Sequence, residues 1–168
     1  MELKDFLSEK KAAILKKWFD VIVETYPSET ASFLKRQKNQ FTNPVGHTIL
    51  QGMDGLLEGL INGTDSERVS SYLDNVIRIR AIQDFTPSQA IAFIFGLKKI
   101  IREELEGING HLSDEVSGFD SRIDVLALMA FDIYMKCREE IYEIRANEVK
   151  NNMFMLLQRA NLYCDVRE

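Results

Sequence analysis

Apolar residues recur at helical spacing along almost the whole chain, and no stretch alternates apolar and polar residues as a half-buried strand would. That pattern restricts the fold to helix packed on helix. Leu3, Leu7, Ile14, Trp18, Val21 and Ile22 share one face of a first helix. It stops at Tyr26-Pro27, because a proline pushes the residue before it out of the helical region. A short amphipathic piece covers 29–38. Asn43-Pro44 opens a third helix, Asn suiting the cap and Pro the first helical position. This helix runs to Ile61 and stops at Asn62-Gly63. A fourth, capped by Asp65 or Ser66, reaches Gln83.

Thr86-Pro87-Ser88-Gln89 is the strongest local signal in the chain. The Thr86 hydroxyl can accept the Gln89 backbone N–H while the Gln89 side chain reaches back to Thr86, a capping box with Pro at the first position. The helix that follows is apolar all round from 90 to 97, which predicts a central, buried first half. Residues 107–118, rich in Gly, Asn, Ser and Asp, read as a loop. From 119 to 163 there is neither proline nor glycine, so the last segment is one very long helix or two joined by a bend. The expected fold is all-α: about six helices in a compact bundle, residues 1–145, followed by a helical extension, 146–168.

The 168 residues carry a formal charge of −5, which opposes a nucleic-acid binder. No apolar run approaches the length needed to cross a membrane. The mixed charges of the first eleven residues do not form a signal peptide. Cys137 and Cys164 lack metal or redox spacing and read as reduced thiols. Together these features predict a cytoplasmic protein with no membrane insertion.

Catalytic chemistry finds little to work with. His47 shares a helix face with Gln51, Asp54 and Glu58, a solvated face, and His111 sits in the glycine-containing loop. Neither is placed as an axial haem ligand facing an apolar pocket. No paired His or Cys spacing, nucleophile elbow or phosphate-cradling glycine motif is present. No catalytic residue, metal or cofactor is expected.

Three constellations are more informative. Gly52, Gly55 and Gly59 fall on one stripe, at a cost of about 1 kcal/mol each against alanine. The stripe reads as a close helix crossing or as floor space for a small apolar ligand. Arg80 falls in the apolar arc of its helix with Leu73 and Val76, and Asp84, one turn on, is the expected ion-pair partner fixing the corner with Phe85, Thr86, Pro87 and Gln89. Finally, the seam Ile123, Leu126, Ala130, Ile133, Tyr134, Cys137, Ile141, Ile144 loses its apolar character over 145–152. Five apolar residues follow in a row: Met153, Phe154, Met155, Leu156 and Leu157. They must be buried somewhere, by folding back on the domain or by a partner chain, and a partner helix or a second copy is the favoured cover.

Thr25-Tyr26-Pro27, the run from Phe41 to Gly46, the stretch Ile77-Arg78-Ile79-Arg80-Ala81-Ile82-Gln83-Asp84-Phe85-Thr86-Pro87-Ser88 and the run from Leu97 to Glu103 stand in an order and spacing that resembles the N-terminal domain of RsbRD-type proteins. The likeness covers about residues 10–145. It implies relatives among the co-antagonists of the RsbT kinase in bacterial stress-response signalling, and a non-haem globin-like sensory or protein-interaction domain. It also implies dimerisation and a long last helix leading to an effector, a STAS domain in the co-antagonists; a stand-alone domain is expected here. The expected function is a non-enzymatic signalling or adaptor domain acting through contacts with a second copy or another signalling protein. The alternative is a sensor for a small apolar, fatty-acid-like ligand.

Overall fold

The computed structural model describes residues 2–36, 39–63, 66–83, 85–106, 113–160 and 162. Among them there are six helices and no strand: α1 Leu3–Val23, α2 Ser28–Arg36, α3 Pro44–Asn62, α4 Ser66–Ile82, α5 Pro87–Leu105 and α6 Ser113–Arg159. The punctuation in the sequence sets several of the ends. The Asn43 side chain accepts the Gly46 N–H at 2.9 Å with Pro44 behind it, and Gly63 closes α3 in the left-handed conformation at φ 67°. Thr86 and Gln89 make both halves of their capping box.

α1 lies against α3 and α5, α3 against α4, and α6 against α4 and α5. The faces that meet form one apolar core, with Ile14, Trp18, Ile49, Leu56, Val76, Phe93 and Ile123 at its centre. Polar ties cross it. The Trp18 indole donates to the Phe93 carbonyl at 2.7 Å, joining α1 to α5. Arg122 on α6 donates to the Leu60 carbonyl at 2.7 Å, satisfying an acceptor in the last turn of α3.

Two expectations about α5 and α6 are corrected. Residues 113–118 are helical rather than loop. Asp114 and Glu115 suit a helix N-terminus, and the Glu115 carboxylate accepts the Leu3 N–H at 2.7 Å, tying the start of α6 to the start of α1. α6 is then one uninterrupted helix of 47 residues, about 70 Å long at 1.5 Å per residue. The 90–97 stretch of α5 is not buried all round. Ala90, Ile91, Phe93, Ile94 and Leu97 face the core, but Ala92 and Phe95 face outward.

Candidate interaction surface

The corner between α4 and α5 is built around Arg80, whose side chain is completely buried. Its guanidinium donates to the Ala90 carbonyl at 2.9 Å, the Gln89 carbonyl at 2.9 Å and the Thr25 hydroxyl at 3.2 Å. It lies 4.1 Å from the centre of the Phe85 ring, with the Tyr26 and Phe93 rings at 5.6 and 5.7 Å. Tyr26 meets Phe85 edge-on at 5.3 Å and donates to Gln83 at 2.7 Å. Burial pulls the Arg80 pKa down and pushes the Tyr26 phenol up, the neighbouring cation partly opposing the latter. Asp84, the partner expected for Arg80, lies outside the described residues, as do Asp65, His111 and Cys164. Among the described residues, two backbone carbonyls, a hydroxyl and aromatic faces surround the cation.

α6 is clamped to this corner. The Tyr134 hydroxyl donates to the Phe85 carbonyl at 2.6 Å, and Arg138 donates to the Ala81 carbonyl at 3.1 Å and to the Tyr142 hydroxyl at 3.1 Å. The Arg138 guanidinium holds the Tyr142 phenol below its ordinary value. Nearby, burial raises the Cys137 thiol, which opposes reactivity. The buried seam of α6 ends here: Ile141 is half-buried and Ile144 is 63% exposed.

A second apolar stripe runs along α6 on a different face. Leu128, Phe131, Met135, Tyr142, Ala146, Val149, Met153, Leu156 and Ala160 fall within about a quarter-turn of one another, and all are exposed. From Tyr142 onward the steps alternate between four and three residues, the spacing of a seam that packs on another helix. At its first end the stripe joins Ile91, Ala92 and Phe95 of α5 around an open apolar groove of about 600 Å³. At its far end Met153, Phe154, Met155, Leu156 and Leu157 are 37–64% exposed. Every residue from 145 to 157 is exposed. Sequence reasoning followed the buried seam and missed the outer one; the alternating three-and-four spacing was the available signal.

The glycine stripe is covered. A Cβ on Gly52 would meet a Val76 methyl at 2.5 Å and the Tyr72 carbonyl at 3.2 Å. One on Gly55 would meet the Tyr72 ring, and one on Gly59 a Val69 methyl at 2.6 Å. α4 occupies the space an apolar ligand would need there. His47 is half-buried rather than solvated and borders a separate cleft between α1, α2 and α3. No group of three or more His, Cys, Asp or Glu residues is arranged to hold a metal among the described residues. Nor is any described helix long and apolar enough to cross a membrane.

Comparison with known proteins gives one family. Residues 12–149 match the model described as the RsbT co-antagonist protein rsbRD N-terminal domain. An uncharacterized protein of Archaeoglobus fulgidus is 27% identical over 144 residues, 83% of this chain and 84% of that protein. No solved structure matches the chain.

Proposed function

We propose a function from one premise: the chain belongs to the family of RsbT co-antagonist N-terminal domains, which are regulatory, signalling domains. On this reading it is a non-enzymatic signalling module that works by binding other proteins, in the first place a second copy of itself. Residues 1–145 form the body and 146–168 the contact-making extension. The observation that carries the reading is the outer stripe of α6, apolar and exposed from Leu128 to Ala160 on a face the core does not use. Exposed apolar surface of this extent favours association, and a seam at heptad spacing favours another helix as its cover.

Light scattering across a concentration series tests it. The wild-type chain is expected to run as a dimer, and Met153→Gln with Leu156→Gln to weaken association at least tenfold, about 1.4 kcal/mol. Both side chains lie outside the core, so the thermal midpoint of the dilute double variant is expected to stay unchanged. A wild-type chain that is monomeric throughout, or a double variant that dimerises as well as wild type, would remove the support.

A further inference from the structure

We propose that the cleft between α1, α2 and α3 binds a small anionic amphiphile, a molecule with one acidic head and one unbranched apolar chain. The site is separate from the outer stripe of α6, and the inference does not depend on what covers that stripe. The cleft is a half-open cavity of about 480 Å³, within the range of small-molecule pockets. Its floor is apolar: Leu15 and Phe19 of α1, Leu34 of α2 and Leu50 of α3.

Charge at the rim selects the head group. Lys16, Lys35, Asp20 and His47 border the opening. Lys35 is neutralised by Asp20 at 2.9 Å. Lys16 pairs with no carboxylate, and the His47 imidazole makes no hydrogen bond, among the described residues. A chain of net charge −5 thus places uncompensated positive charge beside a greasy floor. A cationic head would meet Lys16 and find the one carboxylate of the lining, Asp20, already paired with Lys35, whereas an acidic head would accept from Lys16 while its chain lay along Leu15, Phe19 and Leu50.

The walls suit a responsive site. α2 buries only Leu34. It is pinned to the body by the Asn43 amide, which donates to the Leu34 carbonyl at 3.3 Å, and by the Lys35–Asp20 pair. The same Asn43 caps α3. A ligand seated against Leu34 therefore bears on both the short helix and the start of α3.

Calorimetric titration of the full chain with decanoate, decyl phosphate and decyltrimethylammonium tests the proposal. Decanoate, decyl phosphate or both are expected to saturate one site, at least tenfold tighter than the cationic amphiphile. The stronger of the two acids identifies a carboxylate or a phosphate head. Ala12, an exposed residue lining the cleft, can be enlarged without entering the core. Ala12→Trp is expected to lower the affinity at least tenfold with helicity unchanged. Lys16→Glu, a surface change that leaves folding intact, is expected to weaken the acids several-fold and leave the cation unaffected. Equal binding of acid and cation would overturn the proposal. So would binding that survives both cleft variants, or binding lost in Met153→Gln with Leu156→Gln, since either places the amphiphile elsewhere. An Ala12→Trp chain that loses association, in a protein that never bound either acid, would assign the cleft to a protein partner instead.

Discussion

The two halves of α6 share a helix and little else. Between Phe119 and Cys137 one face is buried in the core and further side chains brace α5: Lys98 pairs with Asp124 at 2.7 Å and Arg102 with Asp120. Beyond Tyr142 every described side chain is exposed, including Ile144, Val149 and the run from Met153 to Leu157. The first half buries one apolar seam against α4 and α5 and carries the start of the outer stripe, Leu128, Phe131 and Met135, beside it. The second keeps Val149, Met153 and Leu156 on the outer stripe, where every described side chain is exposed. An isolated helical segment of this length has limited stability in water, so the second half draws its order from continuity with the first. The body is held by its own packing; on the function proposed above, the projecting half serves contact.

The sharpest way to break that contrast is to damage the body at its most demanding point. Arg80→Ala opens a cavity under Phe85 and leaves the Gln89 and Ala90 carbonyls without their side-chain donor. Loss of about 2–5 kcal/mol is expected, roughly 5–15 °C in thermal midpoint, at every protein concentration. Arg80→Met fills the volume and removes only the donors, so it should cost less. A concentration-dependent loss would mean that the corner is stabilised by association, and the two regions would no longer be separable.

The corner also shows where sequence reading reaches and where it stops. The capping box at Thr86, the cap at Asn43 and the stop at Gly63 were legible because each is a local bond between residues a few positions apart. That Arg80 is buried was legible from its place between Leu73 and Val76. Its carbonyl partners were not, because a backbone carbonyl carries no sequence identity and Ala90 becomes a partner only once α4 and α5 have folded onto each other. Residues 113–118 read as loop because Ser, Asp and Gly favour turns in isolation; the bond between Glu115 and the Leu3 amide, 112 positions away, is what recruits them to α6. Family likeness was carried by the local runs, above all 77–88. The cleft beside His47 was illegible, being a gap between three helices rather than a property of any one.

A smaller effect separates glycines that the body needs from one it does not. In Gly52→Ala the new methyl meets Val76 and the Tyr72 carbonyl. Overpacking of about 1–3 kcal/mol, less about 1 kcal/mol of helix propensity, leaves a net loss of up to about 2 kcal/mol. Gly118, inside α6, has open space where a methyl would stand, with no neighbouring atom within 4 Å. Gly118→Ala should therefore stabilise by about 0.5–1 kcal/mol. Urea unfolding of the two variants in parallel reads both signs. A stabilised Gly52→Ala chain would mean that α3 and α4 sit farther apart than the close crossing described above.

The smallest expected effect concerns the surface of the body and its dependence on pH. Lys17 of α1 and Glu104 of α5 are 2.6 Å apart. The hydrogen bond between them is the leading cause of both shifts: Glu104 is lowered and Lys17 raised from their ordinary values. A lowered carboxylate contributes stability that is full above the ordinary Glu value and is lost as pH falls through the lowered folded value. A raised lysine contributes stability that is full below the ordinary Lys value and is lost as pH rises through the raised folded value. The pair therefore works across neutral pH and fails at both extremes. Because solvent screens such surface pairs, Glu104→Gln should lower the urea midpoint only slightly at neutral pH. The gap to wild type should close below the ordinary carboxylate range, where Glu104 takes up a proton. A gap that widened on acidification would show that Glu104 serves something other than the tie between α1 and α5. Because both residues sit far from the outer stripe of α6, the association measured by light scattering should be the same in Glu104→Gln as in wild type.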